Sequence, residues 1–189
     1  MAGEAGQIRQ EELDAQRAAV RRAALAQIRQ YGDPALRMEA RPVEDFDEDL
    51  ARLVRRMKRL MVDANGVGLA ATQVGVLRRV LVFQDGDEGE EPVALVNPAI
   101  VERGGDVSTE DEGCLSLQGV LVPVERSCWV TVEGKDETGA DIRLELAEPG
   151  ARVLQHEVDH LDGVLIIDRT TPDARRAALA VLRPRVAIV

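Results

Sequence analysis

Gln155-His156-Glu157-Val158-Asp159-His160-Leu161-Asp162-Gly163 is the stretch from which the rest of the chain is read. The protein has only two histidines, and both stand here, four residues apart. On an α-helix, positions i and i+4 share a face, so two imidazoles can reach one metal ion. Glu157 lies one step round the helix from His156, where a carboxylate can handle a proton on a metal-bound water without being a ligand. Two histidines scattered over 189 positions would fall four apart roughly once in a hundred trials. The bland alternative, two surface histidines on an amphipathic helix with Val158 and Leu161 as its core face, is therefore the weaker reading. The spacing predicts a metal-binding helix over about 151–162, with Gly163 as its C-terminal stop.

A catalytic metal needs a third protein ligand and one open position. Carboxylates and the two cysteines, Cys114 and Cys128, are the candidates. Cys114 stands in Asp111-Glu112-Gly113-Cys114-Leu115-Ser116, where Gly113 allows a bend. Cys128 precedes Trp129 in an alternating strand pattern and reads as small apolar filler. Chemistry alone gives Cys114 a weak preference and leaves the choice open.

Outward from these motifs, the chain reads as α+β. A helix is expected over 10–30, stopped by Gly32-Asp33-Pro34. A second runs from an Asp45 or Asp47 cap to about 64, with Leu50, Leu53, Val54, Met57, Leu60 and Met61 as a buried stripe. The methionines in that stripe are core filler, not ligands. Gly66-Val67-Gly68-Leu69-Ala70-Ala71-Thr72-Gln73 lacks the Lys-Ser/Thr of a phosphate loop, and Gln73 is its candidate for facing a substrate. Strands are expected at 79–84, 93–97, 100–103, 120–124, 129–133, 142–146 and 164–167, with an acidic turn at 85–91. Pro98 is expected to break the 93–97 strand from the 100–103 strand. Thr171-Pro172 opens a last helix ending near 184.

Composition narrows the function classes. Aromatics make up 2% of the chain, so Val, Leu, Ile and Ala must fill the interior. A formal charge of −10 argues against a nucleic-acid binder, and no specific DNA binding is expected. No signal peptide or membrane span is evident, and two cysteines suit a reducing, cytoplasmic setting.

Three segments, 66–73, 112–116 and 155–163, stand in the order and at about the spacing of the signature motifs of peptide deformylase, which the chain resembles from about 26 to 170. The resemblance implies Cys114, His156 and His160 as metal ligands, Glu157 as acid/base, and Gln73 with the Leu115 backbone N–H as oxyanion donors. It implies Fe(II) as the native metal, with Zn(II), Ni(II) or Co(II) as substitutes. The reaction implied is hydrolysis of N-formylmethionyl nascent peptides to release formate, with metal-bound hydroxide attacking the formyl carbon. An extended substrate would pair between Gly66–Gly68 and the chain near Cys114, its methionine beside Val67 and Val153. Glu112 and Gln155 are expected to orient ligands. The segment after Ser116 is shorter than in many family members, which bears on substrate contacts and not on the metal.

The expected fold has antiparallel and mixed sheets packed around a central metal-binding helix, with an N-terminal helical extension and a C-terminal helix. Residues 1–25 are expected to be the extension and 26–189 a single hydrolase domain. Arg175, Arg176, Arg183 and Arg185 make the C-terminal helix a candidate for docking the ribosome near the nascent-chain exit, although a solvated basic face is the commoner explanation. Two competing classes are a zincin-type peptidase and a non-catalytic copper module. The first would add a downstream His or Glu; the second would leave Glu157 without work.

Overall fold

Val80-Leu81-Val82-Phe83 carries no polar alternation, the pattern of a strand covered on both faces. In the computed structural model, which describes residues 2–84 and 91–182 except for the side chains of 2–12, this strand is β2 (Val80–Phe83), fully buried throughout. It sits second in a five-stranded antiparallel sheet ordered β1-β2-β3-β6-β7, built from β1 (Gly68–Ala70), β3 (Val93–Arg103), β6 (Trp129–Lys135) and β7 (Asp141–Ala147). Val80 and Val82 join the core formed with α2 (Glu48–Asp63), where Leu50, Val54, Met57 and Met61 make the helical stripe. Leu81 and Phe83 join the opposite core with Leu154, Val158 and Leu161 of α3 (Gly150–Leu161). Such side chains hold the layers together; truncating Leu154 to Ala would cost about 2–5 kcal/mol.

Local chemistry fixes the ends of these elements. Asp47 caps α2, its carboxylate accepting from Leu50 N at 2.9 Å. Gly163 follows α3 at φ +71, a left-handed conformation that favours glycine after a helix. A second sheet pairs β4 (Val107–Gly113) antiparallel with β5 (Leu121–Ser127). Its Val122 and Val124 pack on Ile166 and Ile167 of α4 (Ile166–Arg169) and Ala178 of α5 (Pro172–Leu182). The α3 helix contacts strands of both sheets, which puts the histidine helix at the centre of the fold. Every strand pair is antiparallel; among the described residues the one parallel pairing is an isolated bridge, Arg41 to Arg78.

Several boundaries differ from the sequence expectation. The first helix, α1 (Ala2–Leu25), stops before 30 because Ile28 turns inward to join the α2 core. Pro98 does not break a strand: β3 runs through it, with a register shift between Val96 and Ala99. Residues 166–169 form a short helix where a strand over 164–167 is expected. Residues 85–90 of the acidic turn expected at 85–91, and Arg183 and Arg185, lie outside the described residues. No described helix is long and apolar enough to cross a membrane.

Candidate metal centre

The α3 helix does what its spacing predicts: His156 and His160 present their rings together, centroids 4.9 Å apart. Cys114 arrives from the other sheet, just past the end of β4, and its Sγ lies 3.2 Å from His160 Nε2. The ligating atoms of Cys114, His156 and His160 all fall within 4.8 Å of one another. A tetrahedral site with about 2.3 Å to sulfur and 2.0–2.1 Å to nitrogen needs S···N of about 3.6 Å. The observed separation is near that value, so the three donors fit one cation. Cys128 is not in the group; it stands between β5 and β6.

The electrostatics of the two imidazoles fit the same reading. Burial opposes charge on His156, yet the Cys114 sulfur and the Glu112 carboxylate raise its pKa well above the ordinary imidazole value. His160 goes the other way: burial, then the positive charges of His156 and Arg126, hold it well below. Cys114, His156 and His160 could hold a cation, which would take the place of the His156 proton, because ligating imidazoles are neutral.

Glu157 is buried beside the histidines, and its Oε2 has no hydrogen-bond partner among the described residues. Burial, only partly offset by His156, raises its pKa to about 7. Gly68 is what makes room for it: a Cβ there would lie 2.3 Å from Glu157 Oε1. Gly68, expected from the sequence to border the substrate, also lines the cavity.

Gln73 is buried in the turn after β1. Ala70 N donates to its Oε1 at 2.8 Å, which turns Nε2 toward the site. That Nε2 donates to Ser116 Oγ at 3.1 Å and lies 3.6 Å from Cys114 Sγ. Ser116 N also points at Cys114 Sγ, at 3.4 Å. Leu115 is anchored by its carbonyl, which accepts from Gln30 Nε2 at 3.1 Å, and its N–H makes no hydrogen bond to a described residue.

A buried ionic network, which sequence reasoning missed apart from Glu112, stands behind the ligands. Glu112 Oε2 meets His156 Nδ1 at 3.0 Å, leaving Nε2 as that ring's free ligand atom. Arg126 grips Glu112 with two N–H groups, at 2.9 and 3.0 Å, and reaches Asp159 at 2.6 Å. Arg152 donates to Glu112 and Arg169 to Asp159. Burial penalises charge on Glu112, but His156 and Arg126 overcome it and bring its pKa down to about 2. Gln155 does not orient a ligand: it bonds Ser127 N and O, and Ala151 O.

The site opens into a cavity of about 750 Å3 lined by Gly66, Val67 and Gly68 on one side, the 113–115 segment on the other, and Val153, His156 and Glu157 at its base. Val67 is exposed at its mouth, whereas Val153 is half-buried.

Two imidazoles and a thiol converging at one point, beside a buried carboxylate in an open cavity, form a candidate metal centre on an α+β scaffold. Comparison with known proteins specifies which kind. The chain matches the polypeptide deformylase family over residues 25–176. A peptide deformylase of Thermotoga maritima is 46% identical over 148 residues, spanning 78% of this chain and 88% of that protein. One from Acidothermus cellulolyticus is 46% identical over 165 residues, 85% and 87% respectively. The crystal structure of a peptide deformylase from Legionella pneumophila aligns with a TM-score of 0.78 at 40% identity, covering 82% of this chain and 91% of that one. The chain belongs to the peptide deformylase family, enzymes that remove N-formyl groups from nascent peptides.

Proposed function

We propose that the chain hydrolyses the formamide bond of N-formylmethionyl peptides at the Cys114–His156–His160 centre, with formate as the released product. What carries the reading is Glu157, whose buried Oε2 has no partner among the described residues and whose side chain lines the same cavity as Cys114 and His156. A thiolate with two imidazoles suits Fe(II), Zn(II), Ni(II) or Co(II), and not Mg(II) or Ca(II); Fe(II) is taken as native from the family likeness. When bound, such a cation supplies Lewis acidity and brings ionisation of water near neutral pH.

This chain's own residues do the rest. Glu157 takes a proton at Oε2 and returns it to the departing amine; a pKa of about 7 suits both directions near neutral pH. Gln73 Nε2 and the Leu115 N–H donate to the formyl oxygen as charge builds on it, each worth about 3 kcal/mol of barrier. Glu112 fixes the tautomer and angle of His156. The β1 strand is an edge of its sheet and borders the cavity, so an extended peptide can pair with it at 66–68. Val67 and Val153 flank the methionine side chain.

The inhibitor actinonin, bound in the structure of the Synechococcus elongatus relative, is expected to occupy this cavity too. Residues 26–189 act as the catalytic domain, with 1–25 as an extension of it. The cytoplasm is the compartment proposed, where formylated chains emerge. The ribosome is the partner α5 would serve, although its Arg175 and Arg176 already pair with Asp168 and Asp173. The test is formate release from formyl-Met-Ala by metal-loaded protein, set beside cleavage of an unblocked peptide. Hydrolysis of internal bonds alone would defeat the proposal.

A further inference from the structure

The cavity that holds Cys114, His156 and Glu157 is also lined by Arg21 and Leu25 of α1. The family model matches from residue 25 onward, so Arg21 lies ahead of the segment that the model covers. Its place is nevertheless defined. Ala24 is buried in the α2 core, and Arg21 Nε donates to the Ala64 carbonyl at 3.2 Å.

Two arginines line this cavity, and they differ in what they have left to give. Arg152 is spent: its guanidinium donates to Glu112, the Val124 carbonyl, Ser108 and Glu148. Arg21 commits only Nε, and among the described residues no carboxylate pairs with it. Around it the rim carries exposed apolar side chains, Val67 at 58% and Leu121 at 71%, and the neutral polar Asn65 and Gln118. A peptide leaving the metal site by this rim therefore passes apolar contacts and one uncompensated cation.

We infer that Arg21 is a specificity-determining residue that takes a carboxylate borne by the substrate beyond its formylated methionine. The inference rests on the deformylase reading above. The carboxylate has two sources, an acidic side chain or the terminus of a short peptide, and both present the same group to the guanidinium. The net charge of −10 repels acidic peptides at long range, so a preference for them has to come from a local cation.

Formate release from four peptides tests this: formyl-Met-Ala-Glu-Ala amide against its Lys counterpart, and formyl-Met-Ala-Ala as free acid against amide. The wild type is expected to favour the carboxylate member of at least one pair by about fivefold in kcat/KM at low salt, the upper range for one exposed ion pair. The difference should lie in KM and fade as salt is raised. Whichever pair shows it identifies the source. Arg21→Ala should bring that ratio to about one and Arg21→Glu should invert it. Arg21→Lys, which loses the Ala64 contact but keeps the charge, should retain it; melting temperatures taken alongside separate charge from folding. Equal rates within both pairs, or a preference that survives Arg21→Ala, would overturn the assignment while leaving deformylation intact. No formate from any of the four would overturn the deformylase reading and this inference together.

Discussion

Gly68→Ala adds one methyl group, and the structure says where it goes. The new carbon would lie 2.3 Å from Glu157 Oε1 and 2.8 Å from Cδ and Cγ of the same side chain. Ordinary contact begins near 3.4 Å, so the carboxylate must retreat by about 1 Å. Because Cγ is crowded as well as the oxygen, turning the terminal torsion alone does not relieve it. A displacement of about that size in a reacting group costs on the order of a hundredfold in rate. We therefore expect kcat for formyl-Met-Ala to fall about a hundredfold, with one metal per chain retained. Overpacking should cost about 1–3 kcal/mol, reduced slightly by the stiffer unfolded chain. At this size that corresponds to a melting temperature lower by several degrees. The three nearest atoms all belong to Glu157, so in a Glu157→Ala background the same methyl should cost much less in stability and in residual rate. Wild-type turnover in Gly68→Ala, or an undiminished stability cost in the double variant, would refute the placement of Glu157.

Glu112→Gln should lower metal affinity by about 10–100-fold and destabilise by about 3–5 kcal/mol, since His156 loses its partner and Arg126 is left half-paired in the interior; chelator competition and thermal melts read both. Glu112 is held at about 2, against 4.5 for the free group. Its contribution is therefore complete above pH 4.5 and is lost as pH falls toward 2, a slope that Glu112→Gln should lack when melts are run across that window. Glu157 has the opposite sign. With a folded pKa of about 7, the folded protein binds more protons than the unfolded one between pH 4.5 and 7, so stability drops as pH rises through that range. Metal-free Glu157→Gln should accordingly melt higher than the wild type at pH 7.5 and no higher at pH 4, while releasing almost no formate when metal is restored. Cys114→Ala should lose its metal under mild chelation and Cys128→Ala should keep it; equal metal content in the two would remove Cys114 from the centre.

The legible parts of the sequence are those whose causes are local. His156 and His160 lie four apart on one helix, so their meeting needs no knowledge of the fold. Asp47 caps α2 three residues before the amide it serves, and the buried run of β2 announces a covered strand. What was not legible depends on distant partners. The strand β4 is polar and mostly exposed, and its one buried side chain, Glu112, is inside because Arg126 and Arg152 meet it there. Nothing in the local pattern signals that. Arg126, Asp159 and Arg169 likewise read as surface charges until the fold brings them together. Ile28 continued a helical spacing but is buried from a turn, and 166–169 was too short an apolar run for its period to be told. Gly68 was recognisable as a glycine needed for close approach, but not that the approaching group was Glu157.

X-ray absorption at the metal edge of anaerobically purified protein tests the central claim most directly. One metal per chain, with a single sulfur at about 2.3 Å and two imidazole nitrogens at about 2.0–2.1 Å, is the predicted result. A first shell without sulfur, or protein that holds no stoichiometric metal while still releasing formate, would contradict it.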